Sequence, residues 1–213
     1  MKEYTIYIYR IISKDNLDFI LHSGKLCSSS HPECDPNYLP IGETTLIQSR
    51  KSKQVIIGNQ VFGTLSEYIP FYFGPRPLML YAIRHGYDVP KIAAHEIVYI
   101  ISSLEKLKEQ SCKYVFTDGH AYDALTQFFD NDAELVNIDW KSVNAKNWKN
   151  TPTDPDRKRR KQAECLVYYE MPLSAVALFA VYDRNCLRYV EELLKNHSLT
   201  TFDVKLKPEW YYE

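Results

Sequence analysis

The sequence predicts a mixed α+β fold, and three observations carry that prediction. Apolar runs of strand length alternate along the chain with segments of helical spacing, the pattern of helices packed on a sheet. Turn formers punctuate these segments, yet no stretch has the composition of a linker. The 213 residues, 45% apolar and 25% charged, suffice for one substantial core, so a single domain spanning 1–213 is expected.

Thr5 to Ile12, rich in Ile and Tyr, reads as a buried first strand. Helical spacing follows from Lys14 to Leu21, with Asp15 or Asn16 as the cap and Gly24 as the stop. Residues 27–66 carry Pro32, Pro36, Pro40, Gly42, Gly58 and Gly63 with little periodicity and read as a long irregular segment with short pieces of structure, a type often functional. Tyr68 to Phe73 is a strand interrupted by Pro70, and Leu78 to His85 a helix closed by Gly86. Glu96 to Ile101 is a strand, Ser103 to Gln110 a helix, and Lys113 to Phe116 a strand ending in Thr117-Asp118-Gly119-His120. Helical turns are expected from Tyr122 to Trp148, and loop from Asn150 to Asp156, where prolines and Asx residues cluster. Glu164–Tyr169 and Ala175–Tyr182 read as strands. Arg184–Asn196 is an amphipathic helix with Leu187, Val190, Leu193 and Leu194 on one face, and Phe202–Leu206 closes the fold as a strand.

The formal net charge of -1 excludes a globally basic nucleic-acid coat, so contact with a polyanion has to come from local clusters. The main one is Arg157-Lys158-Arg159-Arg160-Lys161, a cationic loop running into Glu164 at the mouth of an apolar strand. A solvated charge run is the bland reading. A lone acid with cations before it also suits chemistry in which positive charge develops on a sugar while a polyanion is held nearby. Seventeen tyrosines raise the aromatic share to 14%, and exposed rings can stack bases. Five cysteines without a metal-ligand spacing point to a reducing compartment, and the N-terminal residues lack the regions of a signal peptide, so a cytoplasmic protein is expected.

The chain contains no Gly-x-Gly-x-x-Gly, no Gly-Lys-Ser/Thr phosphate loop and no His-Glu-x-x-His. Hydride-transfer, phosphate-loop and zinc-hydrolase readings therefore lose their support. The isolated polar residues that remain are Arg10 in the first strand, Arg50 in the long irregular segment, Arg76 in a Gly-Pro-Arg-Pro turn, His120 and Glu164. Each has a plain structural reading: an outward strand arginine, a solvated cation, a turn-holding ion pair, a turn closure and an edge-strand acid.

Ile8-Tyr9-Arg10-Ile11 with Asp15-Asn16-Leu17, the block Tyr68 to Tyr81, Phe116 to His120, Lys161-Gln162-Ala163-Glu164-Cys165-Leu166-Val167 and the terminal Trp210-Tyr211-Tyr212 together resemble the DarT family. Its members are the DNA ADP-ribosyltransferase toxins of DarT–DarG toxin–antitoxin modules, and the resemblance runs the length of the chain in order. It implies an ADP-ribosyltransferase-type fold, a split two-sheet β core with flanking helices and NAD in the cleft between the sheets. It implies transfer of ADP-ribose from NAD to a base of single-stranded DNA, thymine in one branch and guanine in another, without a metal. A DarG-like macrodomain antitoxin is the implied partner, and a monomer is expected.

Residue by residue, the resemblance places the catalytic glutamate at Glu164 and the catalytic arginine at Arg50, with Lys51 one place on as the alternative. NAD contacts fall on Tyr9, Arg10, Ser13, Asn16, Leu17, Arg50, Tyr72 and Met79. DNA contacts fall on Arg76, His120, Arg157, Lys158, Arg159 and Arg160, within or near a recognition loop from about 149 to 163. Two positions depart from the family's usual pattern: Tyr9-Arg10-Ile11-Ile12-Ser13 stands where Tyr-His-Ile-Thr-His is common, and Cys165 where Phe is usual. Glu164 is expected to be dispensable for packing. An ADP-ribosyltransferase acting on RNA or protein, and a non-enzymatic nucleic-acid-binding domain, are the rival readings.

Overall fold

The computed structural model describes residues 5–212; Met1 to Tyr4, part of the segment read for a leader, lie outside them. Strand β1 (Tyr7–Ser13) ends where the Ser13 hydroxyl accepts the Asp15 N–H and caps a single turn over Lys14–Asn16, and Asn16 then holds the N-cap position of the first helix without a side-chain capping bond. Helix α1 (Leu17–Ser23) buries Leu17, Ile20 and Leu21 and stops at Gly24, whose φ of 73° is the left-handed turn that glycine takes without steric cost. After β2 (Lys25–Cys27), the segment expected to be irregular carries helix α2 (Thr44–Arg50) and a hairpin of β3 (Gln54–Ile57) and β4 (Gln60–Thr64). Arg50 is thus the last residue of a helix and not a loop residue.

Next come β5 (Tyr68–Tyr72), α3 (Leu78–His85), β6 (Ile97–Ser103), α4 (Leu104–Glu109) and β7 (Tyr114–Thr117), close to their expected bounds. The stretch expected to be helical turns also contains a strand, β8 (Phe128–Phe129), ahead of α5 (Trp140–Asn144). The basic run is a correction. It forms a one-turn helix, α6 (Arg157–Arg160), with Asp154 and Asp156 at its N-terminal side, where carboxylates favour both the helix dipole and ion pairs one turn on. The chain finishes with β9 (Glu164–Tyr168), β10 (Glu170–Pro172), β11 (Leu178–Val181), α7 (Arg184–Asn196) and β12 (Asp203–Leu206).

Eight strands form one sheet in the order β12-β11-β6-β1-β5-β9-β7-β8. Only β11 and β12 run parallel, joined through α7 as a parallel pair requires. The split lies between β1 and β5. β1 pairs with β6 along its whole length, from Tyr7↔Ser103 to Ser13↔Ile97, but meets β5 at the single pair Tyr9↔Tyr72. The divergence makes Pro70 tolerable in a central strand, because the missing N–H faces the gap, where the Arg10 guanidinium takes the Pro70 carbonyl at 3.0 Å.

One face of the sheet is covered by α1 and α7, which pack Leu17, Leu21, Val190 and Leu194 against Ile8, Ile12, Phe71, Cys165 and Phe179. The other face carries two separate cores. Leu80 and Ile83 of α3 cover Ile11, Tyr99 and Ile101 on one half, and Val55 and Leu65 cover Val115 and Leu166 on the other. A cleft opens between these two cores, directly over the split.

Candidate active site at the split in the sheet

Strand alternation sets the site. Phe71 and Cys165 point into the first core, so their neighbours Tyr72 and Glu164, paired in register across β5 and β9, turn to the cleft. Glu164 is 1% exposed. Its Oε1 accepts the Ala121 N–H at 2.9 Å and lies 4.0 Å from His120 Nε2, while Oε2 accepts from Arg50 Nη1 at 3.3 Å and Nη2 at 3.4 Å. Its backbone is pinned as well: the Glu164 N–H donates to Thr117 Oγ1 at 3.0 Å, and that hydroxyl donates to the Gly119 carbonyl at 2.7 Å. The Thr117-Asp118-Gly119-His120 turn is thus the cradle of the acid. A carboxylate out of water needs such partners to stay charged.

Arg50 reaches Glu164 from the C-terminal end of α2, where a cation is favoured, and its side chain is 14% exposed; Lys51 is exposed. The Tyr72 hydroxyl points to Met79 Sδ at 3.9 Å, and burial followed by the Glu164 charge pushes its phenol well above the ordinary tyrosine range, so it stays a neutral donor. Arg10 fills the gap between β1 and β5, held by Pro70 O and by Tyr38 Oη at 3.3 Å. The cleft, about 1050 Å³ including its open mouth, is lined by Arg10, Arg50, Tyr72, Met79, His120 and Glu164 together. A second cavity of about 710 Å³ adjoins it and shares Arg10 and Tyr38. Among the described residues no three His, Cys, Asp or Glu side chains come together as metal ligands, and no helix is long and apolar enough to cross a membrane.

Several residues expected at the site stand elsewhere. Leu17 is fully buried in the first core. Ser13 is a cap, and Tyr9 packs edge-on against Trp210 at 5.4 Å between centroids. Asn16 makes two 2.8 Å hydrogen bonds with the backbone of Leu39, fixing the strap that carries Tyr38, Pro40 and Ile41 to the cleft wall. Arg76 lies over the Tyr212 ring at 4.6 Å, outside the cleft.

The basic run is largely neutralised. Arg159 pairs with Asp118 and Asp156, Arg160 with Asp139, Asp154 and Asp156, and Arg157 with Asp154, leaving Lys158 exposed. The Asp139 carboxyl is held at about 2: burial would raise it, but hydrogen bonds from Ser142 and Arg160 win. Arg159 therefore ties the segment before Glu164 to the cradle turn. Tyr38, Glu43, Tyr68 and Ser28 complete the cleft and Ala121 holds the acid, none of them singled out as a site residue by sequence. For Ser28, Tyr38 and Glu43 the one signal was the density of turn formers between 27 and 66; Tyr68 and Ala121 lie outside that segment.

A consequence concerns Gly119. A Cβ there would lie 2.9 Å from Arg159 Cγ, against a side chain held at both ends by aspartates. Gly119→Ala is expected to cost about 1–3 kcal/mol of stability, by overpacking and loss of the Asp118–Arg159 pair. Urea unfolding checks it; an unchanged midpoint would show that the clamp yields freely.

The family model described as "ssDNA thymidine ADP-ribosyltransferase, DarT" matches residues 9–212. A DNA ADP-ribosyl transferase of Escherichia coli O127:H6 is 32% identical over 206 residues, covering 96% of this chain and 93% of its own. The Thermus sp. 2.9 DarT in complex with ADP-ribosylated ssDNA superposes with a TM-score of 0.86 at 30% identity, over 97% of this chain and 96% of that one. The same Thermus protein in complex with NAD+ gives a TM-score of 0.84 over the whole of both chains.

Proposed function

The chain belongs to the DarT family of single-stranded DNA thymidine ADP-ribosyltransferases, and from that premise we propose how its residues divide the reaction. The enzyme takes NAD as co-substrate and transfers ADP-ribose to a base of single-stranded DNA, thymine in this reading. One observation carries the assignment of roles: a buried glutamate and a largely buried arginine face each other at the split in the sheet. The residues fit the dinucleotide. Arg10 stands between two adjoining cavities, where a diphosphate joining two nucleoside halves needs a cation, and the cleft walls are aromatic and apolar.

Glu164 hydrogen-bonds the ribose and opposes the positive charge that develops there as the bond to nicotinamide breaks, an interaction stronger in the transition state than before it. The Ala121 N–H and Arg50 orient its two oxygens. Arg50 opposes the negative charge that develops on the base as its ring nitrogen bonds the ribose carbon that nicotinamide leaves, the nitrogen's proton passing to water at the mouth of the cleft. Guanidinium hardly deprotonates, so its part is electrostatic and not that of a proton acceptor. His120, beside Glu164 at the mouth of the cleft, meets the incoming base, and Tyr72 donates to bound substrate. Single-stranded DNA suits the site because pairing hides the edge of the base that reacts.

The reading extends to one domain working as a monomer in the cytoplasm, a growth-arresting toxin with a macrodomain antitoxin as partner. Expression of the chain alone is expected to stop bacterial growth, and co-expression of a macrodomain that removes ADP-ribose from DNA to restore it. Harmless expression of folded protein would contradict the toxin reading. The activity itself is tested by incubating the protein with NAD and matched single-stranded DNA, duplex DNA and RNA. Nicotinamide release and an adduct on single-stranded DNA alone are expected; a preferred RNA or protein acceptor would overturn the substrate.

A further inference from the structure

The N–H that orients Glu164 Oε1 belongs to Ala121, and residues 118–127 around it form neither helix nor strand. No ladder of backbone bonds fixes its direction, so side chains have to. Arg159 is central among them. Its Nε donates to Asp156 Oδ1 at 2.8 Å, Nη1 to Asp118 Oδ1 at 3.0 Å and Thr126 Oγ1 at 3.2 Å, and Nη2 to Asp118 Oδ2 at 3.1 Å and Asp156 Oδ2 at 2.8 Å. A guanidinium has five N–H donors, and here each has an acceptor within the protein. The side chain is 11% exposed and faces two carboxylates, so it offers a phosphate neither a spare donor nor an unopposed charge.

These bonds bracket His120, the residue before Ala121. The His120 N–H donates to the Arg159 carbonyl at 3.1 Å. The His120 carbonyl accepts the Thr126 hydroxyl at 2.8 Å, the same hydroxyl that accepts Arg159 Nη1. That carbonyl and the Ala121 N–H belong to one peptide unit, which is planar and does not twist at its C–N bond. Fixing the carbonyl on one side therefore fixes the direction of the N–H on the other. A continuous path results, from Arg159 Nη1 through Thr126 Oγ1 and the His120–Ala121 peptide to Glu164 Oε1.

We propose that Arg159 is a positioning residue for the transfer: through Thr126 and the His120–Ala121 peptide it sets the direction from which Glu164 Oε1 is held, and with it the aim of the carboxylate at the ribose. The proposal rests on the reaction read above and deepens it, giving Arg159 a part in the chemical step and not a grip on the strand. A carboxylate that has to meet a charge developing at one carbon is sensitive to small errors of aim, so a residue that acts on it only through others still governs the rate. The plain alternative is an ion pair that braces a surface loop. Asp118 and Asp156 alone satisfy that task, and it leaves the bond to Thr126 without a consequence.

Steady-state kinetics on one defined oligonucleotide test it, with every variant at matched folded concentration and its unfolding midpoint recorded. Thr126→Val keeps the size of the side chain and every charge but cuts the path between Arg159 and the His120 carbonyl. It is expected to lower kcat about tenfold, with KM for the oligonucleotide and Kd for NAD within about twofold of the parent. Arg159→Lys keeps the charge but cannot hold Asp118, Asp156 and Thr126 together, and is expected to lower kcat by about 10²-fold with the same small change in KM. The double variant is expected to be no slower than Arg159→Lys, because the path is already cut. Parental kcat in Thr126→Val overturns the proposal, whether or not Arg159→Lys folds. So does a raised KM with kcat retained in Arg159→Lys, the mark of a residue that grips the strand, and so does a double variant slowed by the product of the two single effects. Failure of the underlying reading shows separately, as absence of any adduct by mass from the folded parent with NAD.

Discussion

Glutamine at position 164 is expected to lower ADP-ribose transfer by about 10²–10³-fold while leaving the unfolding midpoint near that of the parent. The amide keeps the shape of the side chain and an oxygen for the Ala121 N–H, but it removes the negative charge that opposes the developing sugar cation. Alanine is the poorer test. The sequence suggested that the acid could be deleted without harm to packing, whereas its burial and its bonds to Ala121 and Arg50 mean that deletion strands a buried N–H and a largely buried guanidinium. Breaking a buried pair from one side costs about 3–5 kcal/mol, so Glu164→Ala is expected to lower the midpoint visibly. Comparison of the two variants by calorimetric unfolding separates lost chemistry from lost fold. A glutamine variant with parental turnover would remove Glu164 from the reaction.

Arg50→Lys is expected to reduce turnover on one defined oligonucleotide by at least about 10²-fold, with a much smaller change in NAD affinity. Lysine keeps the charge at the end of α2 but cannot present two N–H groups to Oε2 as Nη1 and Nη2 do. The charge proposed to act on the base would then sit in the wrong place. Arg50→Ala should show the same loss with weaker folding added, because Glu164 would keep only the Ala121 N–H and His120 as polar neighbours. Calorimetry for NAD and single-turnover kinetics for transfer distinguish the roles. Equal losses in both would move Arg50 into the dinucleotide site.

How far the sequence was legible depends on how local each signal is. Helices α3 and α7 were readable to the residue, since one ends at Gly86 and the other opens at Asp183 with an amphipathic repeat behind it. Glu164 was visible as an odd acid opening an apolar strand, and Arg50 only as an isolated cation to which the family pattern gave a role, because α2 has no buried residue and hence no periodicity to announce it. The ion pairing of the basic run was not legible for a related reason. Its acids at 118 and 139 are remote in sequence, and only folding reveals that Arg159 and Arg160 are spent on them. Tyr38 and the Ala121 N–H reach the site through long-range placement, which no local pattern encodes. Asn16, an NAD contact that the resemblance implies, also fixes Leu39 through its side-chain amide, a role no local pattern announces.

Glu164 is the carboxylate proposed to serve the transfer of ADP-ribose from NAD onto a DNA base at the split in the sheet. The direct measurement is mass mapping of a defined single-stranded oligonucleotide after incubation with NAD, run side by side for the parent and Glu164→Gln at matched folded concentration. The account predicts one ADP-ribose on a thymine with the parent and none within the same time with the variant. No adduct from folded parent, or the same adduct at the same rate from Glu164→Gln, would contradict it.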